Sequence, residues 1–372
     1  MENTNSKIIK FIKSNTVLCV AALAAAVTCF IVPPDKEYIG YFDFKTLTCL
    51  FCTLAVVCAL KNIRFFTFLA RRIVKLTGNT RSAILATVYI TFIGSMLIAN
   101  DMALLTFLPL GFSVINDSGK KGLLAFTFTM QTIAANLGGM LTPFGNPQNL
   151  FLYSRFQIAD ADFVRVMALP FAVAVLLITV CCLCVRKEKM TLKDGADYSL
   201  PAGKTILYLL LFAYSIIIVF RLVPYWTGLV IIPVILFAVD RSALKKVDYG
   251  LLLTFVFFFI FAGNMARIEV VNRFLSGLMQ KDTLFFSALS CQVISNVPSA
   301  VLLSRFTQNW KELLWGVNIG GTGTLIASLA SLISFREYVN DRPGKAKRYF
   351  LIYSGFSFGF LAVLLTLMMI IR

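Results

Sequence analysis

Two stretches of this chain, 182 positions apart, align without a gap, and each interrupts an apolar run with glycine, threonine and polar residues. Residues 135–150 read ANLGGMLTPFGNPQNL and residues 317–332 read VNIGGTGTLIASLASL. Asn136, Gly138, Gly139, Thr142 and Leu150 fall on Asn318, Gly320, Gly321, Thr324 and Leu332. Upstream of each copy lies a second polar break, Ala99-Asn100-Asp101 in the first half and Ser295-Asn296-Val297 in the second. Such a chain is expected to fold as two structural repeats with interrupted helices. Paired hydrophobic segments broken by Gly or Pro at corresponding places point to a binding site at membrane mid-depth in a secondary transporter.

The composition supplies the solvent. With 58% hydrophobic residues, 14% charged residues and a mean hydropathy of +0.81 over 372 residues, the chain reads as an all-α polytopic membrane protein. Val17–Val32 lacks a convincing small-residue cleavage site and precedes further spans, so it reads as the first span rather than a signal peptide. The nine cysteines sit mostly in apolar runs and read as reduced packing residues. The net charge of +17 is not a nucleic-acid footprint, because the basic residues cluster in alternate loops.

Spans are expected near 17–32, 43–60, 122–156, 163–185, 204–222, 226–239, 250–266, 312–335 and 349–371, about nine in all. Residues 82–115 are too long for one crossing and too short for two. A hairpin entering from the cytoplasmic side and turning at 99–103 fits, with a return arm, 104–115, about 18 Å long. Residues 283–306 suggest a second re-entrant hairpin turning at 295–298. Amphipathic stretches at 63–76 and 268–281 precede the two hairpins and read as interfacial helices. The inside groups are Lys7/Lys10/Lys13, Lys61–Arg81, Lys120/Lys121, Arg186–Lys204, Arg241–Lys246 and Arg336–Arg348; they hold 24 of the 35 Lys and Arg. The N-terminus is then inside and the C-terminus outside, in the plasma membrane. Four crossings and a hairpin per half, joined by a linking span at 204–222, give inverted repeats. The expected division is 1–81 scaffold, 82–185 transport part with a broken helix, 186–281 linking helix and second scaffold part, and 282–372 second transport part.

Backbone at membrane depth satisfies its own hydrogen bonds unless it lines a cavity. Pro143 and Pro147 flank Gly145-Asn146 and break the ladder; Ala327-Ser328 occupies the matching place in the second copy. Asn146, Gln148 and Asn149 add amides there. The glycine pairs 138/139 and 320/321 serve either this break or close helix packing. Asp101 is the one carboxylate placed inside the membrane, where an acid is functional by default; as an alternative, it caps the return helix. Asn100 and Asn296 occupy matching places in the tips. Arg155, Arg165, Arg221, Arg267 and Arg305 lie near membrane ends, either snorkelling or pairing with an anion. The absence of histidine excludes a histidine relay, HExxH proteolysis and Ser-His catalysis, and no phosphate loop is present. No enzymatic activity and no cofactor are expected.

These residues resemble the ion transporter superfamily of citrate and divalent-anion/sodium symporters, arsenite permeases and sodium/proton antiporters, from the second span to the last. The resemblance rests on ANLGGMLTPFGNPQNL, the two Asn-bearing tips and SNVPSAVLL followed by VNIGGTGTLIASLAS. It implies two hairpin tips meeting two unwound helices, sodium sites at those junctions, substrate between them, elevator-type movement and a homodimer. By position it implies one cation site at Asn100 and Gly145, with Asp101 beside it, and another at Ser295, Asn296 and Ala327. Substrate would meet Asn100, Asp101, Asn146, Asn296 and Ser328. The dicarboxylate branch carries Ser-Asn-Thr at both tips, and both threonines are absent here. The Asn-Asp tip resembles the arsenite permease and antiporter branches, the Gly-Asn-Pro break the citrate type. The reading is a secondary transporter for a small anion, a di- or tricarboxylate or an inorganic oxyanion, coupled to Na⁺ or H⁺. Sodium/proton exchange or arsenite-type transport through Asp101 is the alternative, and a channel or structural membrane protein the non-transporter one. The partners are then the substrate and the bilayer, with no nucleic acid and no metal beyond Na⁺.

Overall fold

A computed structural model describes residues 15–189 and 199–372. Lys7, Lys10 and Lys13, and positions 190–198 of the Arg186–Lys204 loop, lie outside the described residues. Helices dominate throughout. Among the described residues there is no β-strand, only an isolated bridge between Asn79 and Lys189.

The chain opens with α1 (Thr16–Ile31), α2 (Phe44–Asn62) and the short amphipathic α3 (Phe65–Lys75). Next come α4 (Thr80–Ile98) and α5 (Asn100–Asp117), which form the first hairpin, then α6 (Leu124–Gly138), α7 (Pro147–Arg155) and α8 (Asp160–Leu183). The linking helix α9 (Ala202–Val219) leads to α10 (Tyr225–Val239), α11 (Arg241–Lys245) and α12 (Tyr249–Arg267). The second half closes with α13 (Glu269–Ile294), α14 (Asn296–Leu303), α15 (Trp310–Ile319), α16 (Leu329–Asp341) and α17 (Ala346–Ile371). Helix starts follow their caps. The Asp43 carboxylate accepts from Thr46 N at 2.9 Å, the Asn79 Oδ1 from Ser82 N at 3.0 Å, and Pro147 opens α7 at the first-turn position that tolerates a missing N–H.

Two expectations are refined. Helix α13 kinks at Asp282 (φ −164°, ψ 95°), so the amphipathic stretch and the hairpin arm are continuous in sequence but separate in direction. The first return arm does not begin at 104. It starts at Asn100 and runs 18 residues, about 27 Å at 1.5 Å per residue. The turn collapses to Ala99 alone because that residue adopts φ 61°, which reverses the chain in a single step. The second return helix, α14, is only 8 residues long.

Among the described residues six helices are long and apolar enough to cross a membrane (α2, α4, α8, α9, α12 and α17), and α1 and α10 are shorter apolar helices. Leu176, Leu210, Val234, Phe237 and Ile370 face outward, exposed; a bilayer is the solvent such a surface fits. Helices α1, α2, α9, α10 and α12 pack in one group. The hairpins and broken helices form another, with α6 at its centre against α4, α5, α8, α16 and α17. This second group holds the polar breaks.

Candidate functional site

Each hairpin turns on one residue with left-handed φ. Ala99 has φ 61°, ψ 152° and Ser295 has φ 75°, ψ 159°. Neither is glycine, so each position stores about 1–3 kcal/mol of strain. The asparagine that follows opens its helix and accepts from the next backbone N–H: Asp101 N donates to Asn100 Oδ1 at 3.0 Å, and Val297 N donates to Asn296 Oδ1 at 2.9 Å. Asp101 is therefore in the first turn and is not the cap.

Each hairpin is tied to its broken helix by the same bond. Thr142 Oγ1 donates to Met96 O at 3.0 Å, and Thr324 Oγ1 donates to Gln292 O at 3.0 Å. Met96 and Gln292 each lie four residues before the tip asparagine. The glycine pairs divide into two roles. A Cβ on Gly138 would lie 2.2 Å from Phe92 O, and one on Gly320 would lie 2.9 Å from Ala288 Cα, so these two permit close packing. A Cβ on Gly139 would lie 2.4 Å from Asn146 Oδ1, and one on Gly321 would lie 3.1 Å from Asn296 Nδ2. These two make room for the amides.

Between the breaks runs a buried amide network, and backbone carbonyls fix its polarity. Asn136 Nδ2 donates to Gly321 O (3.2 Å) and Ser331 Oγ (3.5 Å), while its Oδ1 accepts from Asn100 Nδ2 (3.1 Å) and Ser328 Oγ (2.7 Å). Asn100 Nδ2 also reaches Ser328 Oγ at 3.4 Å. Asn146 Nδ2 donates to Asn136 O at 3.4 Å. Asn318 Nδ2 donates to Leu314 O (2.9 Å) and Asn149 Oδ1 (2.6 Å); its Oδ1 accepts from Gln148 Nε2 at 3.4 Å. Asn149 Nδ2 faces the carbonyls of Gly139, Met140 and Thr142. With every NH₂ so directed, Asn146 Oδ1 and Gln148 Oε1 are left buried with no partner. Asp101 Oδ1 shares that condition although its residue is partly exposed. The Ala330 amide, at the start of α16, faces the Asp101 carboxyl.

The two expected junctions differ in outcome. Ser295 Oγ donates to Ala327 O at 3.2 Å and lies beside Asn296, so the second group is assembled. In the first, Gly145 N bonds Thr142 O at 3.3 Å, and the glycine fits against Gly139, where a Cβ would lie 2.4 Å from the carbonyl. The Asn100 amide instead crosses to Asn136 and to Ser328 of the other copy. Gln292 and Ser331 join the site as residues not singled out in the sequence, beside Asn136, Gln148, Asn149 and Asn318, which the repeat and the break had already marked. The 182-residue offset contained the signal, since it carries Asn136 onto Asn318 and Asn149 onto Ser331.

A multi-pass helical fold whose paired breaks converge on one polar junction defines a membrane transporter. The family model described as Citrate transporter matches residues 8–315, and the chain belongs to that family. It is 32% identical over 303 residues to an uncharacterized transporter of Methanocaldococcus jannaschii, covering 81% of this chain and 82% of that protein. It is 29% identical over 323 residues to the inner membrane protein YbiR of Escherichia coli, covering 84% and 85%.

Proposed function

We propose that this chain is a secondary active transporter of a small anion, a di- or tricarboxylate or an inorganic oxyanion, coupled to Na⁺ or H⁺. The carrying observation is the buried amide network that joins the first hairpin tip to both broken helices, with the second tip tied to its break by Ser295, and that leaves only acceptor oxygens unpartnered at the junction, Asp101 Oδ1, Asn146 Oδ1 and Gln148 Oε1. A buried acceptor without a donor costs about 1–3 kcal/mol. A coordinated Na⁺, or a proton on Asp101, removes that cost. The junction thus favours a cation over a bare carboxylate, which is what ion coupling needs.

Binding couples to movement in this reading. The hairpins and broken helices, 82–185 and 282–372, travel as one body against 1–81 and 186–281. The lattice linking Asn100, Asn136 and Ser328 would be torn if either repeat moved alone. The chain sits in the plasma membrane, N-terminus inside and C-terminus outside, as a homodimer. A second reading, sodium/proton exchange or arsenite-type permeation, is favoured by one observation, the unpartnered Asp101 oxygen beside the Ala330 amide. Uptake into proteoliposomes separates the two. Citrate, succinate, sulfate or arsenite entry that follows an imposed Na⁺ or H⁺ gradient supports symport. Proton efflux driven by Na⁺ with no anion requirement supports exchange, and indifference to both gradients sinks the coupling.

A further inference from the structure

The junction at the tips has acceptors to spare and no lysine or arginine in its network, so the charge of an anion must be met elsewhere. Four cations answer that need on one seam between the two helix groups. Arg221, after the linking helix, donates from Nη2 to Tyr153 O at 2.6 Å and lies over the Tyr153 ring at 4.1 Å. Arg305, after α14, does the reverse. It donates from Nη2 to Tyr41 O at 2.8 Å and lies over the Tyr41 ring at 5.8 Å. Each group therefore sends one arginine onto a tyrosine of the other. Two further cations lie near these arginines. Tyr153 is two residues from Arg155, which lies within electrostatic reach of Arg305. Tyr41 is four residues from Lys45, which lies within reach of Arg221.

None of the four cations has an ion pair among the described residues. The neighbouring acids are already engaged. Asp43 caps α2 through Thr46, Asp160 accepts from Tyr153 Oη, and Asp35 and Glu37 are held by Arg267. Arg221 Nε is the one nitrogen among the described buried side-chain polar atoms left without a partner. Snorkelling to a lipid interface does not describe Arg221 and Arg305, whose guanidinium groups turn inward onto tyrosines. Arg165 and Arg267, by contrast, are paired with carboxylates.

We propose that Lys45, Arg155, Arg221 and Arg305 form an anion-docking site on the seam, which takes a small multivalent oxyanion before it reaches the tips. The chemistry is that of planar guanidinium forks and an ammonium facing oxygens of a di- or trianion. Because the site spans both helix groups, an anion bound there also bridges the body that moves and the body that does not. This rests on the anion-transport reading, and the test separates the two.

The test uses full-length protein purified in detergent and labelled citrate, with unlabelled sulfate as competitor, at low and high ionic strength. Lys45→Gln with Arg155→Gln removes the two cations that hold no hydrogen bond among the described residues; Asn146→Ala removes an amide at the first break. The expected result is a five- to tenfold weaker citrate affinity in the double variant, on the order of the loss for two partly exposed charges. The salt dependence should flatten and the unfolding temperature should hold. Lys45→Arg with Arg155→Lys should restore binding. Equal affinity and equal salt dependence in wild type and double variant would overturn the docking site, while loss on Asn146→Ala alone would keep anion transport and place recognition at the junction of tips and breaks. A wild type that binds neither citrate nor sulfate, yet moves Na⁺ against H⁺, would overturn the docking site together with the anion reading.

Discussion

Asn318 donates its amide hydrogen to Asn149 Oδ1 at 2.6 Å and so joins the two broken helices directly. The bond has a counterpart, Asn136 Nδ2 to Ser331 Oγ at 3.5 Å. In both cases the asparagine of one copy reaches the residue thirteen positions past the equivalent asparagine of the other. A relationship preserved under exchange of the repeats is what a pseudo-two-fold axis through the site produces. Asn318→Ala should therefore lower the unfolding temperature, because Asn149 Oδ1 and Gln148 Nε2 each lose their partner in a buried setting. The cost is about 1–3 kcal/mol per orphaned group. Asn136→Ala should cost more, since its side chain makes four bonds, three to side chains and one to the Gly321 carbonyl. Thermal unfolding in detergent checks the order, and equal stability of both variants with wild type would mean that the lattice is decorative.

Asp101→Asn preserves shape and removes charge. The side chain does not cap its own helix, in whose first turn it lies. The substitution should cut transport tenfold or more while leaving the unfolding temperature in place, because the cation or proton loses its carboxylate. Initial uptake rates from pH 5 to 9 measure it. Wild-type turnover with an unchanged pH profile would remove Asp101 from the coupling mechanism.

Much of this site could be read from the repeat, and the rest was hidden for identifiable reasons. The duplicated glycines and threonines located both breaks, and Thr142 and Thr324 make identical anchors. The amide lattice was not visible because its bonds cross between copies, from Asn100 to Ser328 and from Asn318 to Asn149, and one sequence pattern does not state which partner an amide takes. The first return helix is longer than its sequence suggests for a local reason. A turn of one residue with φ 61° suggests glycine, and the chain has alanine there, held in place by the packing of α4 and α5.

Substitutions at the breaks should separate binding from architecture. Asn146→Ala and Ser328→Ala each remove a polar group from the junction and should raise the apparent KM by several-fold with a smaller effect on kcat. Gly145→Val should abolish uptake outright. Even a single Cβ there would approach Gly139 O at 2.4 Å and Thr142 Oγ1 at 2.6 Å, distances at which backbone must move. Full activity in all three variants would make the breaks packing devices only.

The Asp35–Arg267 pair, 2.6 Å apart, ties the segment after α1 to the end of α12. The Arg267 guanidinium holds the Asp35 carboxyl below the usual carboxylate range. A depressed acid contributes stability above its unfolded value, near pH 4, and loses it as pH falls through the folded value. Asp35→Asn should therefore unfold at a lower temperature than wild type at pH 7, and the difference should close below about pH 4. A gap that persists in acid would show that the pair does not act through its charge.

The moving part makes the strongest demand. Two aromatic contacts cross the seam between the helix groups: Phe151 lies 5.6 Å from Phe259, and Phe144 lies 6.0 Å from Phe220, ring centre to ring centre. Phe92 and Phe171, 5.1 Å apart, both belong to the body proposed to move. The substrate needs both tips and both breaks at once, so these four elements travel together or the site is lost. In a background freed of the nine native cysteines, cysteine pairs at 151/259 and 144/220 should crosslink to an extent that changes with Na⁺ and substrate. The 92/171 pair should crosslink equally under all conditions. Locking either seam pair with a short bifunctional reagent should stop uptake, and reversal of the lock should restore it. Full transport through a locked seam would rule out movement of one body past the other and leave local opening of the hairpin tips as the gate.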